Sequence, residues 1–278
     1  MKIELDNKKK KLIIALGVIV LVVIVGLALA YWKYQTGIKN NLDKMKELSE
    51  QVTVDLPDQA STDLLQQEEP EVMETIAESE PPKPQPMHDY EALKQENSDI
   101  YAWISMPDTK VDYPVLQSET DNKYLDTNID GSKGYPGCIY SNMCNSKDFD
   151  DYITVLYGHN MKNGEMFGSL HSFNDAEFFN NYETYTVETP KASFTYSIYA
   201  VVNYNDKLIP AYYDVKSTQG RDEFVSSLEA CRDNTKTHFR DDMEISGEDK
   251  LLVLSLCIAG QDTRRYLVVS KLEEVIEF

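Results

Sequence analysis

The chain has 278 residues, which is enough for one or two domains. Its formal net charge of −20 at pH 7 argues against a nucleic-acid partner or a bare anionic surface. The charge is uneven, because residues 1–11 carry five lysines against Glu4 and Asp6.

An uncharged run follows these lysines over residues 12–32 and reads LIIALGVIVLVVIVGLALAYW. As a helix it would extend about 31 Å, close to the hydrocarbon thickness of a bilayer. Tyr31 and Trp32 stand where interfacial aromatic residues belong. A cleaved signal peptide is the alternative, because the Ala-Leu-Ala at 28–30 resembles a cleavage site, although signal cores are shorter, at about 7–15 residues. We therefore predict a retained anchor over 12–32.

The lysines before the span predict the orientation of the chain in the membrane. Positive charge favours the cytoplasmic side. Residues 1–11 are then cytoplasmic, and everything after residue 32 lies outside a single-pass cell-membrane protein.

Residues 33–87 are predicted to join the anchor to a folded domain. Residues 38–52 favour a juxtamembrane helix. Residues 53–87 are rich in Glu, Asp and Pro, and no basic residue occurs between Lys46 and Lys83. Such a composition buries too little apolar surface to fold, so we expect a flexible acidic stalk over 53–87.

The composition changes at about His88, and residues 88–278 are predicted to form one domain. Short helices are predicted at 89–99, 164–179 and 218–234. Strands are predicted at 100–104, 110–117, 137–141, 152–158, 183–189, 193–204, 251–257 and 266–272, with a hairpin between the fifth and sixth. About eight strands with few helices predict a mainly β fold, a barrel or a sandwich with helical insertions.

The four cysteines allow several interpretations. Outside the membrane, Cys138, Cys144, Cys231 and Cys257 could form two disulfides in three connectivities. Cys138 in a strand and Cys231 on the apolar face of a helix also fit buried thiols, and the state of Cys144 is open. Cys257 ends the apolar run LLVLSLC, where a packed core thiol and a nucleophile are both possible.

Two other segments supply groups that would make Cys257 reactive. His159 follows a predicted strand in VLYGHNMKNGEMF, and a polar side chain at a strand end is placed to face a groove. Arg264 and Arg265 open the last strand. A thiol needs a base or an electropositive neighbour to react, and acyl transfer needs a donor for the oxyanion. A merely solvated or salt-bridged arginine is the alternative.

These segments resemble those of the sortases, the membrane-anchored cysteine transpeptidases of Gram-positive bacteria. YGHNMKNGEMF is similar to the histidine segment of class B sortases, and WISMPDTKVDYPVLQ to their early strands. LSLC with an arginine eight positions after the cysteine is similar to their cysteine and arginine segments. The resemblance covers about residues 88–278 and implies an eight-stranded sortase-type β-barrel, in which His159, Cys257 and Arg265 line a surface groove beside the helix at about 220–231.

One departure from the family pattern concerns the substrate more than the chemistry. Val253 and Leu256 stand where the family usually has threonine, whereas Ser255 matches a serine common in class B. By resemblance, Ser255 and Asn160 are candidate substrate-binding residues.

The resemblance implies cleavage of a C-terminal sorting signal of secreted proteins by Cys257, with His159 giving a proton to the leaving amine and Arg265 steadying the oxyanion. An amine of the peptidoglycan precursor or of a pilin lysine would resolve the thioacyl enzyme. No metal or cofactor is needed. The alternatives are an extracytoplasmic cysteine protease and an anchored, non-catalytic binding protein with an inert thiol.

Overall fold

The computed structural model describes residues 7–52, 83–258 and 260–278 of the chain. Most of the predicted acidic stalk, residues 53–82, lies outside the described residues.

A closed β-barrel forms the body of the domain, as the sequence predicted. The strands are β1 (Ile100–Ser105), β2 (Asp112–Leu116), β3 (Ile139–Tyr140), β4 (Ile153–Tyr157), β5 (Thr184–Glu188), β6 (Ala192–Asn205), β7 (His238–Phe239), β8 (Leu251–Ile258) and β9 (Gln261–Glu277). Eight of them follow the order β5-β1-β2-β3-β4-β8-β9-β6, and pairing of β6 with β5 closes the barrel. The short β7 adds to the edge of β6 outside this closure.

Helices fill the connections between these strands. They are α1 (Asn7–Val52), α2 (Tyr90–Glu96), α3 (Ala176–Asn181), α4 (Ile209–Tyr212) and α5 (Thr218–Glu229), with 3-10 turns at Lys123–Leu125 and Gly168–Asn174. Each helix after α1 begins where local chemistry favours it. The Asp89 side chain, for example, accepts hydrogen bonds from the first backbone amides of α2.

The side chains of β8 alternate between two apolar clusters. Leu252, Leu254 and Leu256 join a main core that draws side chains from all eight barrel strands. The residues between them, Leu251 and Val253, join a second cluster on the other face. In that cluster α5 covers β8 and β9 through Phe224 and Leu228. Alternate residues of the apolar run in β8 therefore face opposite sides of the sheet.

Helix α1 has two parts with different surroundings. Its first part is apolar and exposed on all sides from Ile14 to Trp32, and one 18-residue window reaches a mean hydropathy of 2.9. By length and composition it is able to cross a membrane.

The second part of α1 packs on the barrel domain. Met45 and Leu48 are buried there, and Ile38 and Leu42 pack against the same core. The Ser49 hydroxyl also donates to the Asp112 carboxylate at 2.7 Å. The sequence predicted a juxtamembrane helix over 38–52, and the structure adds that this helix belongs to the packing of the domain predicted to begin at residue 88.

Candidate active site

Cys257 and Arg265 face each other across the β8–β9 ladder. Their Cα atoms are register partners in the antiparallel pair, and the regular pairing is interrupted immediately after Cys257. Side chains directly opposite each other in such a pair lie on the same face of the sheet, with Cβ atoms about 5 Å apart. The strand register therefore brings the predicted thiol and the predicted cation together.

The position of Cys257 along β8 explains its exposure. Its side chain has the same parity as Leu251 and Val253, which lie under α5. Cys257 stands beyond this cover and is exposed, with a free thiol. Buried packing, one of the two roles left open for this residue, does not describe it.

Arg264 and Arg265 have different surroundings. Arg265 is half-buried, and its Nη1 donates to the backbone carbonyl of Arg264 at 2.9 Å. Arg264 is opposite Asn205 on β6, and its Nη2 donates to the Asn203 carbonyl at 3.4 Å. Because neighbouring strand residues point to opposite faces, Arg265 shares a face with Cys257 and Arg264 does not.

The end of β4 carries His159 to the same region. β4 runs parallel to β8 with Tyr157 in register with Ser255, and the Gly158 amide donates to the Ser255 carbonyl at 3.2 Å. A Cβ atom at Gly158 would come within 2.5 Å of the Ile139 side chain and 2.6 Å of the Phe167 ring. Only glycine lets the strand end pass there, so Gly158 fixes the point from which His159 projects.

A compact loop follows His159, and its packing explains the residues that follow the histidine in the sequence motif. Asn160 and Met166 form a β-bridge across it, and the Phe167 amide donates to the His159 carbonyl at 3.1 Å. Gly164 takes a positive φ of 80° in the turn. Met166 and Phe167 are fully buried. The Met-Phe pair therefore anchors the loop to the core and holds His159 at its start.

Two groups among the described residues contact the imidazole of His159. Its Nε2 lies 2.7 Å from the carbonyl oxygen of Leu125, and its ring lies against Tyr135 with centroids 4.7 Å apart. A carbonyl oxygen only accepts, so Nε2 carries the proton of this hydrogen bond. Nδ1 is then the ring nitrogen that this hydrogen bond does not use.

Asn160 and Ser255, the candidate substrate-binding residues, have backbone partners. Asn160 Nδ2 donates to the carbonyl of Cys257 at 2.9 Å, which ties the histidine segment to the end of β8. Ser255 is buried, and its carbonyl accepts the Gly158 amide. In this structure Asn160 positions the cysteine backbone, and Ser255 lies under the surface of the site.

Tyrosine side chains complete the surroundings of Cys257. Burial raises the pKa of Tyr140, and the nearby Cys257 sulfur raises it further while Arg265 lowers it. Burial also raises the pKa of Tyr135, with smaller contributions from Tyr34 and Cys257. The charge of Cys257 is thus felt at Tyr135, whose ring contacts His159.

No pattern in the sequence indicated that Tyr135 or the Leu125 carbonyl would contact His159. The Gly-Tyr-Pro-Gly run at 134–137 does signal a turn. A turn signal does not say which strand end the turn faces, because that depends on the closure of the barrel.

The remaining histidines are occupied elsewhere. His88 is buried against Trp103 and bonds Glu188 at 2.9 Å. His171 lies near the Tyr266 ring, and burial lowers its pKa. His238 Nε2 bonds the Asn174 carbonyl at 3.0 Å.

The other cysteines form no disulfide, because all four thiols are free. Burial raises the pKa of Cys138, Cys144 and Cys231. Within the described ranges 7–52, 83–258 and 260–278, no group of three or more His, Cys, Asp or Glu side chains is arranged to hold a metal ion.

Comparison with known proteins relates the chain to one family. Residues 104–273 match the family model of the sortase domain. Sortase B of Listeria monocytogenes is 29% identical over 170 residues, which are 61% of this chain and 67% of that protein.

Two solved structures show the same fold. Sortase B from Bacillus anthracis, in complex with AAEK1, superimposes with a TM-score of 0.63 at 26% identity, covering 85% of this chain and 97% of that one. Sortase B from Clostridium perfringens gives a TM-score of 0.60 at 27% identity, covering 67% of this chain and 100% of that one.

Proposed function

This chain belongs to the sortase family of cysteine transpeptidases and is of class B, and from that premise we propose that it cleaves a C-terminal sorting signal of secreted proteins at the outer face of the cell membrane. It then joins the new carboxyl end to an amine of the cell-wall precursor. The observation that carries this proposal is the placement of Cys257 opposite Arg265, next to the strand end that bears His159.

The first half of the reaction forms a thioester. His159 holds the proton that the Cys257 sulfur has given up, the sulfur attacks the carbonyl carbon of the scissile peptide bond as a thiolate, and the carbonyl oxygen becomes an oxyanion. The guanidinium of Arg265 is planar, permanently charged and rich in donors, which suits stabilisation of that oxyanion. When the C–N bond breaks, His159 gives a proton to the leaving amine, and the acyl group remains on Cys257.

The second half of the reaction transfers the acyl group. An acceptor amine attacks the thioester carbon and gives a proton to His159. The C–S bond then breaks, a new amide forms, and the thiolate of Cys257 and the protonated His159 are restored. Asn160 holds the Cys257 carbonyl during both halves, so that the sulfur stays at the strand end.

The location in the membrane follows from the two parts of α1. The apolar part from Ile14 to Trp32 spans the bilayer, and the lysines of residues 1–11 keep the N-terminus in the cytoplasm. The barrel domain then meets secreted proteins outside the cell as they leave the membrane.

An amine added to a peptide-cleavage assay tests the proposed function. The peptides are taken from proteins of the same genome that end in a short motif, an apolar span and a basic tail. We expect a ligated product with a glycine-based amine, and with a lysine-bearing peptide if the acceptor is a pilin. Hydrolysis that the amine leaves unchanged would indicate a cysteine protease. Absence of any turnover, with an unreactive Cys257, would indicate a binding protein.

A further inference from the structure

One segment of the barrel domain supplies both of the contacts described above for the His159 ring. The Leu125 carbonyl and the Tyr135 ring belong to residues 123–138, which we term the histidine-support segment. Its two ends are linked, because the Cys138 amide donates to the Tyr124 carbonyl at 3.0 Å. The conformation of this segment therefore sets the orientation of the imidazole.

Asn41 of the anchor helix clamps the histidine-support segment at two points. Its Nδ2 donates to the Gly137 carbonyl at 2.9 Å, and its Oδ1 accepts the Ile129 amide at 3.0 Å. Asn41 is only 5% exposed, and a buried amide is costly unless its polar atoms have partners. Both polar atoms of Asn41 have such partners, on opposite sides of Tyr135 in the sequence.

The segment transmits a constraint from one end to the other because it is tightly packed. Gly137 has a positive φ of 66°, and a Cβ atom there would overlap the backbone carbonyl of Tyr124. The Gly137 amide donates to Asn128 Oδ1 at 3.2 Å, and the Gly134 amide to the Asp126 carbonyl at 2.7 Å. A shift at Gly137 therefore reaches Leu125 and Tyr135 directly.

The helix that carries Asn41 is itself fixed on the domain. Met45 and Leu48 are buried in the core on the same face of α1, and Lys44 forms an ion pair with Glu96. Asn41 thus stands on a rigid element and not on a free tether.

We propose that Asn41 is a positioning residue for catalysis, through which the docked membrane-anchor helix holds His159 in its working orientation. The proposal rests on the proposed function, in which His159 exchanges the proton of the leaving and attacking amines. Misplacement of a catalytic group by about 1 Å is enough to reduce a rate by about 10²-fold.

The test compares Asn41→Ala with Asn40→Ala in the full chain in detergent. Asn40 is the preceding residue of the same helix and is exposed, so its replacement carries the same change in helix propensity. Turnover is divided by the number of active sites, measured as the thiol labelling that the same variant loses when Cys257 is also changed to Ala. We expect kcat to fall about 10- to 10²-fold for Asn41→Ala, with KM changed less than about twofold. Asn40→Ala should match the wild type in both.

A second measurement does not depend on activity. The ¹⁵N resonances of the His159 ring, assigned by their loss in His159→Gln, report the hydrogen bond from Nε2. We expect them to move in Asn41→Ala and to stay in place in Asn40→Ala. If Asn41→Ala does not fold, Asn41→Asp, which keeps an oxygen to accept the Ile129 amide and lacks the amide donor to the Gly137 carbonyl, replaces it with a smaller expected loss of kcat.

The outcomes separate the two proposals. Unchanged kcat per titrated site and unchanged His159 resonances, with only a lower melting temperature, would overturn the positioning role and leave Asn41 as a packing residue. A wild-type enzyme without turnover would overturn the proposed function instead, and the resonances would still decide the role of Asn41.

Discussion

At the scale of single residues, strand register decides which groups surround the Cys257 sulfur. The sequence places two adjacent arginines on β9, and periodicity alone is compatible with either of them facing the thiol. Hydrogen-bond pairing resolves the choice, because Arg265 is the register partner of Cys257. The residue types of the site could be predicted from the sequence. The contacts of His159 with Leu125 and Tyr135 could not, because they depend on how the barrel closes.

The two arginines give the sharpest residue-scale prediction. A lysine at position 265 keeps the charge but loses the planar fork of donors. Loss of an oxyanion donor typically costs about 10²–10³ in rate. We expect kcat to fall by about that factor in Arg265→Lys and to stay near the wild-type value in Arg264→Lys. Both variants are measured on the same peptide. The reverse ranking would mean that the β8–β9 register is shifted by one residue.

His159 and His171 form the second matched pair. His159 follows the end of β4 and precedes Asn160, which bonds the Cys257 carbonyl, whereas His171 is half-buried against Tyr266. We expect His159→Ala to abolish both peptide cleavage and transfer, because the leaving amine then has no proton donor. His171→Ala should retain turnover, with a modest loss of stability. An active His159→Ala enzyme would show that another group moves the proton.

At the scale of elements, the second part of α1 packs on the barrel domain, and the sequence indicates this contact only weakly. Ile38, Leu42, Met45 and Leu48 recur at helical spacing, which predicts one apolar face. That periodicity identifies a face but not its partner, so the contact with the barrel had to come from the structure. α4 and β7 escaped prediction because four and two residues are too few to show a period.

Burial of Met45 leads to an element-scale prediction. Removing a fully buried methionine side chain typically costs about 2–5 kcal/mol. Met45→Ala should therefore lower the free energy of unfolding of the barrel domain by about that amount. Unfolding in detergent, monitored by tryptophan fluorescence, measures this change. Lys46→Ala, at an exposed neighbouring position, should change it by less than about 0.5 kcal/mol. Equal stability of the two variants would mean that α1 does not rest on the barrel in solution.

At the scale of the whole molecule, α1 joins the proposed membrane span to the barrel domain. Asn41 lies nine positions after Trp32, which corresponds to about 13.5 Å of helix. The described residues on both sides of 53–82 contact the barrel domain, through Ser49 on one side and His88 on the other. We therefore propose that the docked helix, and not the acidic segment, fixes the distance between the bilayer and the site.

The orientation in the membrane yields a whole-molecule prediction. Cys144 is exposed on the barrel domain, so a membrane-impermeant maleimide should label it in intact cells that carry the Cys257→Ala variant. Cys144→Ser in the same background serves as the control and should lose this labelling. Labelling only after the cells are permeabilised would place the barrel domain in the cytoplasm and contradict the proposed topology.

The most direct measurement for the central claim is the mass of the intact enzyme during turnover without an acceptor amine. The account predicts an added mass equal to that of the N-terminal peptide fragment less one water, located on Cys257 by fragmentation and absent from Cys257→Ala. Addition of an amine should remove the adduct and release an equal amount of ligated peptide. Peptide cleavage with no acyl group on Cys257, or cleavage that persists in Cys257→Ala, would contradict the account.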